Sequence, residues 1–250
     1  MRILLALFVT VFGLSAGADG GSSKRVLLQP LSPSTLSAGK LSYSFQLFDD
    51  ENKKNILEQD LTESHTKKLH FIVYDAALKE FSHVHPEFDG QKWNTELVLP
   101  VNGNYFLWAQ GKLEDGTDFS SLTQAQVVGG AEAWPITSVG DFRKGTDRET
   151  TVEISSSKLR AGKMAMLNYK VTREDGLSPV ITPYLGANAH VIAVSPDGDE
   201  MVHVHPMDGS SPDMGMLHTT FPVPGDYRIW IQLIDRNEIK TIPLSVTVVK

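Results

Sequence analysis

One short pattern occurs twice in this chain, 120 residues apart, and no other feature constrains the fold as strongly. The first copy runs Leu69-His70-Phe71-Ile72-Val73-Tyr74, a polar turn, then Ser82-His83-Val84-His85-Pro86. The second runs Ala189-His190-Val191-Ile192-Ala193-Val194, a turn, then Val202-His203-Val204-His205-Pro206. In both, thirteen positions separate the first histidine from the second, and a third follows two residues later, before a proline. The correspondence extends outward: Leu36-Ser37-Ala38-Gly39-Lys40 matches Leu159-Arg160-Ala161-Gly162-Lys163, and the segment from Pro100 to Gln110 matches that from Pro222 to Gln232. Matching landmarks in the same order predict two copies of one folding unit, and 250 residues suffice for two cores.

The unit reads as β. Apolar and polar residues alternate in Leu41-Ser42-Tyr43-Ser44-Phe45-Gln46-Leu47, the mark of a half-buried strand. Similar short runs recur through both halves, separated by Gly, Pro, Asn and Asp, and no helical period emerges. The expectation is all-β: two tandem immunoglobulin-like β-sandwich domains after a signal peptide, with the leader over 1–18, sandwiches over 24–128 and 149–250, and a linker over 129–148. Tyr105 and Tyr227 each open a strand after a Gly-containing corner, which suits a tyrosine corner as well as an ordinary core aromatic.

The leader rests on Arg2, the apolar run Ile3 to Leu14, and the small residues Ser15-Ala16-Gly17-Ala18. That run is too short to span a bilayer, so a periplasmic or secreted protein with no integral membrane span in its mature chain is expected. The sequence has no cysteine, which removes disulfides, thiolate nucleophiles and thiolate metal ligands. A formal charge of −7 without basic clusters argues against nucleic acid and anionic membranes as partners.

Pro196-Asp197-Gly198-Asp199 fixes the second hairpin, because Asp-Gly accommodates positive φ at both central positions. His190 then lies opposite His205 and His203 opposite Ile192, so the three imidazoles share one face. A turn centred on Ala77-Leu78 gives His70 and His85 the same pairing, though its residues are poorer turn formers. Alternation adds Trp108 and Gln110, or Trp230 and Gln232, to the histidine faces. Aromatic faces of this kind are expected to be covered, most simply by each other across a pseudo-twofold between the domains.

Three converging imidazoles suit Zn²⁺ or copper as first ligands, each offering one neutral nitrogen. Against this, a strand histidine is commonly a satisfied polar residue, and His-Pro can simply shape a corner. The second repeat adds sulfur through Met201, Met207, Met214 and Met216, with His218 following. Met201 falls on the histidine face, whereas Met214, Met216 and His218 reach it only if the segment after His205 folds back over the hairpin. Thioethers favour Cu(I), so the second repeat is expected to prefer it; the first offers Phe81, Glu87 and Trp93 at the matching places. The alternative is that these methionines only fill space.

The Ala/Leu-His strand, the His-Val-His-Pro turn and the Pro-x-x-Gly-x-Tyr strand opening resemble secreted bacterial immunoglobulin-like domains of the YtkA-like kind. These are similar in architecture to periplasmic copper-resistance binding proteins. The resemblance implies an exported, metal-associated, non-enzymatic protein with ligands among His70, His83, His85, His190, His203 and His205. His83-Val84-His85 also resembles the copper strand of Cu,Zn superoxide dismutases, but the further histidines such a site needs are missing from the first repeat. No Ser-His-Asp order or Walker-type loop stands out, so an enzyme is not expected. The competing expectation is an envelope interaction or structural module whose histidine faces pack against each other or a partner protein.

Overall fold

The computed structural model of the chain describes residues 25–250 except 65, 196, 209 and 210, and only the backbone of His203, His205, Pro206 and Asp208. The leader expected over 1–18 lies outside the described residues. The first half contains strands β1 (Val26–Pro30), β2 (Thr35–Ser37), β3 (Gly39–Asp49), β4 (Lys54–Ile56), β5 (Leu61–Thr62) and β6 (Leu69–Asp75). It continues with β7 (Phe81–Val84), β8 (Glu87–Phe88), β9 (Trp93–Leu99), β10 (Gly103–Leu113) and β11 (Asp118–Val128). The second half contains β12 (Lys144–Asp147), β13 (Thr150–Ser156), β14 (Leu159–Arg160), β15 (Met164–Arg173) and β16 (Ile181–Thr182). Its remaining strands are β17 (His190–Val194), β18 (Met201–Asp208), β19 (Met214–Thr220), β20 (Gly225–Asp235) and β21 (Glu238–Val249). The architecture is all-β, as the alternation predicts; among the described residues the one helical element is a 3₁₀ turn at Glu58–Asp60.

In the first sandwich one layer runs β1-β3-β9-β8, with β4 on β3, and the other β2-β11-β10-β6-β7, with β5 on β10. The chain changes layer at His85-Pro86, where proline, lacking an N–H, ends the β7 ladder. In the second sandwich β18 makes the same change without a break. Met201 to Val204 pair with β17, and His205 to Asp208 pair with β19. Each sandwich closes over its own core, Phe45, Phe71, Trp93 and Leu107 in the first and Leu167, Tyr169, Ile231 and Leu244 in the second. The tyrosine corners are real: Tyr105 donates its hydroxyl proton to the Val101 carbonyl at 3.2 Å and Tyr227 to that of Val223 at 3.0 Å.

A strand with one wet face alternates in burial, but all seven residues of β6 and all five of β17 are buried. Their outward faces meet in a third apolar cluster. Ile72, Tyr74, Leu78, Phe106 and Trp108 of the first domain pack there on Ile192, Val194 and Trp230 of the second, with Val139 of the connection. The expectation that the histidine faces cover each other therefore holds. Each hairpin tip docks on the opposite domain: the Gly198 carbonyl accepts the Tyr74 hydroxyl at 2.7 Å, and the Leu78 carbonyl accepts Arg228 Nε at 3.0 Å.

These tips are register equivalents, and both residues have positive φ, 56° at Leu78 and 79° at Gly198. Glycine takes this conformation freely, and a Cβ on Gly198 would lie 3.1 Å from the Phe106 ring. Leucine does not take it freely, but its side chain is buried in the interdomain cluster. Asp75 also holds that turn, its carboxylate accepting the Lys79 and Glu80 amides at 2.7 and 2.8 Å. The segment read as linker is partly strand: β12, which ends one residue before its close, pairs with β13. Upstream, Ser245 Oγ ties the connection down, accepting from the Phe142 amide at 3.0 Å and donating to the Val139 carbonyl at 3.1 Å.

Candidate metal centre

The ladder sets Ile72 opposite His83, and the same register places His70 beside the chain that leads from Val84 into His85. The three side chains converge as the spacing predicts, their candidate donor atoms all within 4.8 Å of one another. His70 Nδ1 lies 3.0 Å from His83 Nε2 and 3.2 Å from His85 Nε2. For comparison, a tetrahedral ion with bonds of about 2.05 Å to imidazole sets its ligand nitrogens about 3.3 Å apart. Both separations from His70 lie close to that value.

The far side of each ring decides what the near side offers. His70 Nε2 sits 3.0 Å from the Ser64 carbonyl, which only accepts, so the proton resides on Nε2 and Nδ1 presents its lone pair. His83 Nδ1 sits 2.8 Å from Gln232 Oε1, reached across the domain junction from β20. On its other side the Gln232 amide nitrogen donates to Thr241 Oγ1 at 3.1 Å. His83 then carries its proton on Nδ1 and presents the Nε2 lone pair. Two lone pairs thus face each other at 3.0 Å, an arrangement a cation resolves. A proton is poorly placed to serve, because burial, reinforced by His70, lowers the His83 pKa to about 3. Burial with the same neighbour lowers that of His85 to about 4.

The second repeat reproduces part of this arrangement. His190 Nε2 lies 2.7 Å from the Tyr184 carbonyl, the counterpart of Ser64, and the His190 ring centroid is 6.3 Å from that of His83. The backbone sets His203 opposite Ile192 as expected, but the expected pairing of His190 with His205 does not form. The β17–β18 ladder ends at Val191 and Val204, where β18 passes to the other layer, and His205 pairs with His218; the side chains of His203 and His205 lie outside the described portion. Met201, opposite Val194, packs against the interdomain apolar cluster. Met214, Met216 and His218 do not fold back over the hairpin. They lie on β19, in the layer remote from β17, where the ladder with β15 binds them instead. The eight whose side chains are described therefore divide among three places: the histidine junction, the interface and the outer face of the other layer.

Sequence reasoning placed Gln232 on the histidine face but assigned it no role. Ser64 had no signal at all, because it acts through its backbone carbonyl, which any residue supplies.

Among solved structures, the chain is similar to the fibronectin(III)-like modules of Clostridium thermocellum CbhA, at 13% identity over 89% of this chain and 94% of that one, with a TM-score of 0.25. It is also similar to FdeC, an Escherichia coli adhesin, at 13% identity over 92% of this chain and 65% of that one, TM-score 0.28. A third similarity is to the Yersinia pseudotuberculosis adhesin InvE, at 10% identity over 93% and 62% of the two chains, TM-score 0.27. No curated protein matches the chain. One family model matches both repeats, over residues 28–127 and 144–250, and by that match the chain belongs to the family described as Domain of unknown function (DUF8832).

Proposed function

We propose that the protein is an exported metal-binding protein whose His70, His83 and His85 hold one copper ion, with zinc as the alternative, for transport, buffering or tolerance. The observation that carries this reading is the pair of lone pairs set face to face by Ser64 and Gln232. Partners of this kind on the far ring nitrogen fix the tautomer and raise ligand basicity in metal sites. The centre has neither thiolate nor carboxylate among its three donors, and for an imidazole set the divalent series peaks at copper. The resemblance to copper-resistance proteins and the leader-like N-terminus point the same way. The role is binding and not catalysis.

Protein prepared without a histidine tag and loaded with Cu(II) or Zn²⁺ is expected to retain roughly one ion at this centre, and His83→Ala to lose it. Gln232→Leu, which leaves all three ligands in place, is expected to weaken binding about 10- to 100-fold in a competition titration. A second reading is favoured by the apolar cluster between the domains: the histidine faces serve packing in an envelope module. Metal uptake unchanged by His83→Ala, or no uptake from either metal, would establish that reading instead.

A further inference from the structure

The pleat of the second sandwich turns an unusual set of side chains outward. In β15 and β19 burial alternates strictly, so Met164 and Met166, and Met214, Met216 and His218, all lie on the outer face. The ladders align them: Met166 is opposite His218, whose other neighbour is the backbone of His205, and Met216 is opposite Met207. Directly paired side chains stand about 5 Å apart at Cβ, and next-but-one residues along a strand about 7 Å. Met166, His218, Met216 and Met207 thus form a connected run of soft or borderline donors with His218 and Met216 at its centre, so that these two with either Met166 or Met207 fall within reach of one ion.

The register identifies the same four points in the first sandwich. Ser42 pairs with Glu96 as Met166 pairs with His218, and Glu87 pairs with Asn94 as Met207 pairs with Met216. Those residues line an open groove of about 460 Å³ beside His85. One surface, generated twice by the fold, carries hard oxygen donors in the first copy and three thioethers with an imidazole in the second. Packing does not call for methionine here, since Met166 and Met207 are 53% and 50% exposed. Gly215, between Met214 and Met216, is bound to the inner face, where a Cβ would lie 2.5 Å from the Tyr169 ring.

We propose that this outer face, at Met166, Met207, Met216 and His218, is a binding site for Cu(I), separate from the histidine centre at the domain junction. Thioether sulfur selects the soft monovalent ion over Zn²⁺. The site is open to solvent, so it can take up or pass on an ion without separating the domains. It stands whether or not the His70 centre holds metal.

The test uses the full chain with methyl-labelled methionine, titrated anaerobically with Ag(I) as a diamagnetic probe and with Cu(I) against a competing chelator. The methyl signals of Met166, Met207 and Met216 are expected to move within the first equivalents while that of interfacial Met201 stays. Met166→Leu/Met207→Leu/Met216→Leu is expected to lose at least tenfold in Cu(I) affinity with Zn²⁺ uptake unchanged. Static methyl signals through two equivalents, or Cu(I) affinity in the triple variant equal to that of the original chain, would overturn the proposal. The methyl readout on the unaltered chain is independent of how the variant folds. Failure of the histidine centre would be seen separately, as Zn²⁺ uptake insensitive to His83→Ala.

Discussion

Trp230→Ala is expected to destabilise the protein by about 3–5 kcal/mol and to uncouple the two domains. Trp230 is 2% exposed, yet its contacts lie largely outside its own sandwich. Its ring stacks on Phe81 at 4.5 Å with 17° between planes, and on Tyr74 at 5.9 Å with 26°. Tyr74 is itself held, accepting from Trp108 Nε1 at 2.7 Å and donating to the Gly198 carbonyl of the opposite hairpin at the same distance. Removing the indole opens a cavity that neither domain can close from its own side. It also strands a hydrogen-bond chain that excludes water only while the faces are together. Urea unfolding should change from one transition toward two, and small-angle scattering should report a larger radius. A cost below about 1 kcal/mol with one sharp transition would mean that the interface contributes little to stability. The same variant should weaken metal binding, since Phe81, which loses its stacking partner, lies two residues from His83 on β7, and Gln232 lies two residues from Trp230 on β20.

This junction was legible in the sequence because its determinants are local. Alternation set the face, the turn at Gly198 set the register, and an aromatic beside aliphatics on an outer face called for cover. The pairing of Ile72 with His83 and of Ile192 with His203 follows directly from those two signals. The fate of Met214 to His218 was not legible. The sequence after His205 contains Gly and Ser, which permit a loop folded back, while the hydrogen-bonding needs of the β15 edge favour a strand. An edge strand's unpaired backbone groups leave no residue-specific trace, so nothing nearby in the sequence revealed which demand prevails. Ser64 was hidden for the same reason. The twin roles of Leu78 and Gly198 were half visible: glycine announces a positive φ, but a leucine held in that conformation by the opposite domain looks like any other leucine.

Metal-free protein is expected to lose stability as the pH falls from about 6.5 toward 4, and variants without the histidine centre are expected to lose much less. His83 and His85 have pKa values lowered to about 3 and about 4, in each case first by burial and then by neighbouring imidazoles. The unfolded chain titrates near 6.5, so between that pH and the folded values the unfolded state binds more protons. The sign follows: the contribution is fully present above pH 6.5, declines as pH falls, and is gone below the folded pKa values. At about 1.4 kcal/mol per pKa unit, the two lowered values set an upper bound of roughly 8 kcal/mol for the pair. Asp49 is also held below the ordinary carboxylate range, by its hydrogen bond to Arg25, but that contribution is lost only below about pH 4, so the two effects occupy different windows. Urea midpoints at pH 7.5, 5.5 and 4.5 should fall steadily for the metal-free chain and stay nearly flat for His83→Gln/His85→Gln. Equal slopes in the two proteins would show that the rings are not held neutral by burial. A bound ion extends the argument, because it occupies the lone pairs that protons would take. Loaded protein should hold its stability to lower pH and then release the ion and lose stability together, in a single step whose midpoint rises as a competing chelator is added.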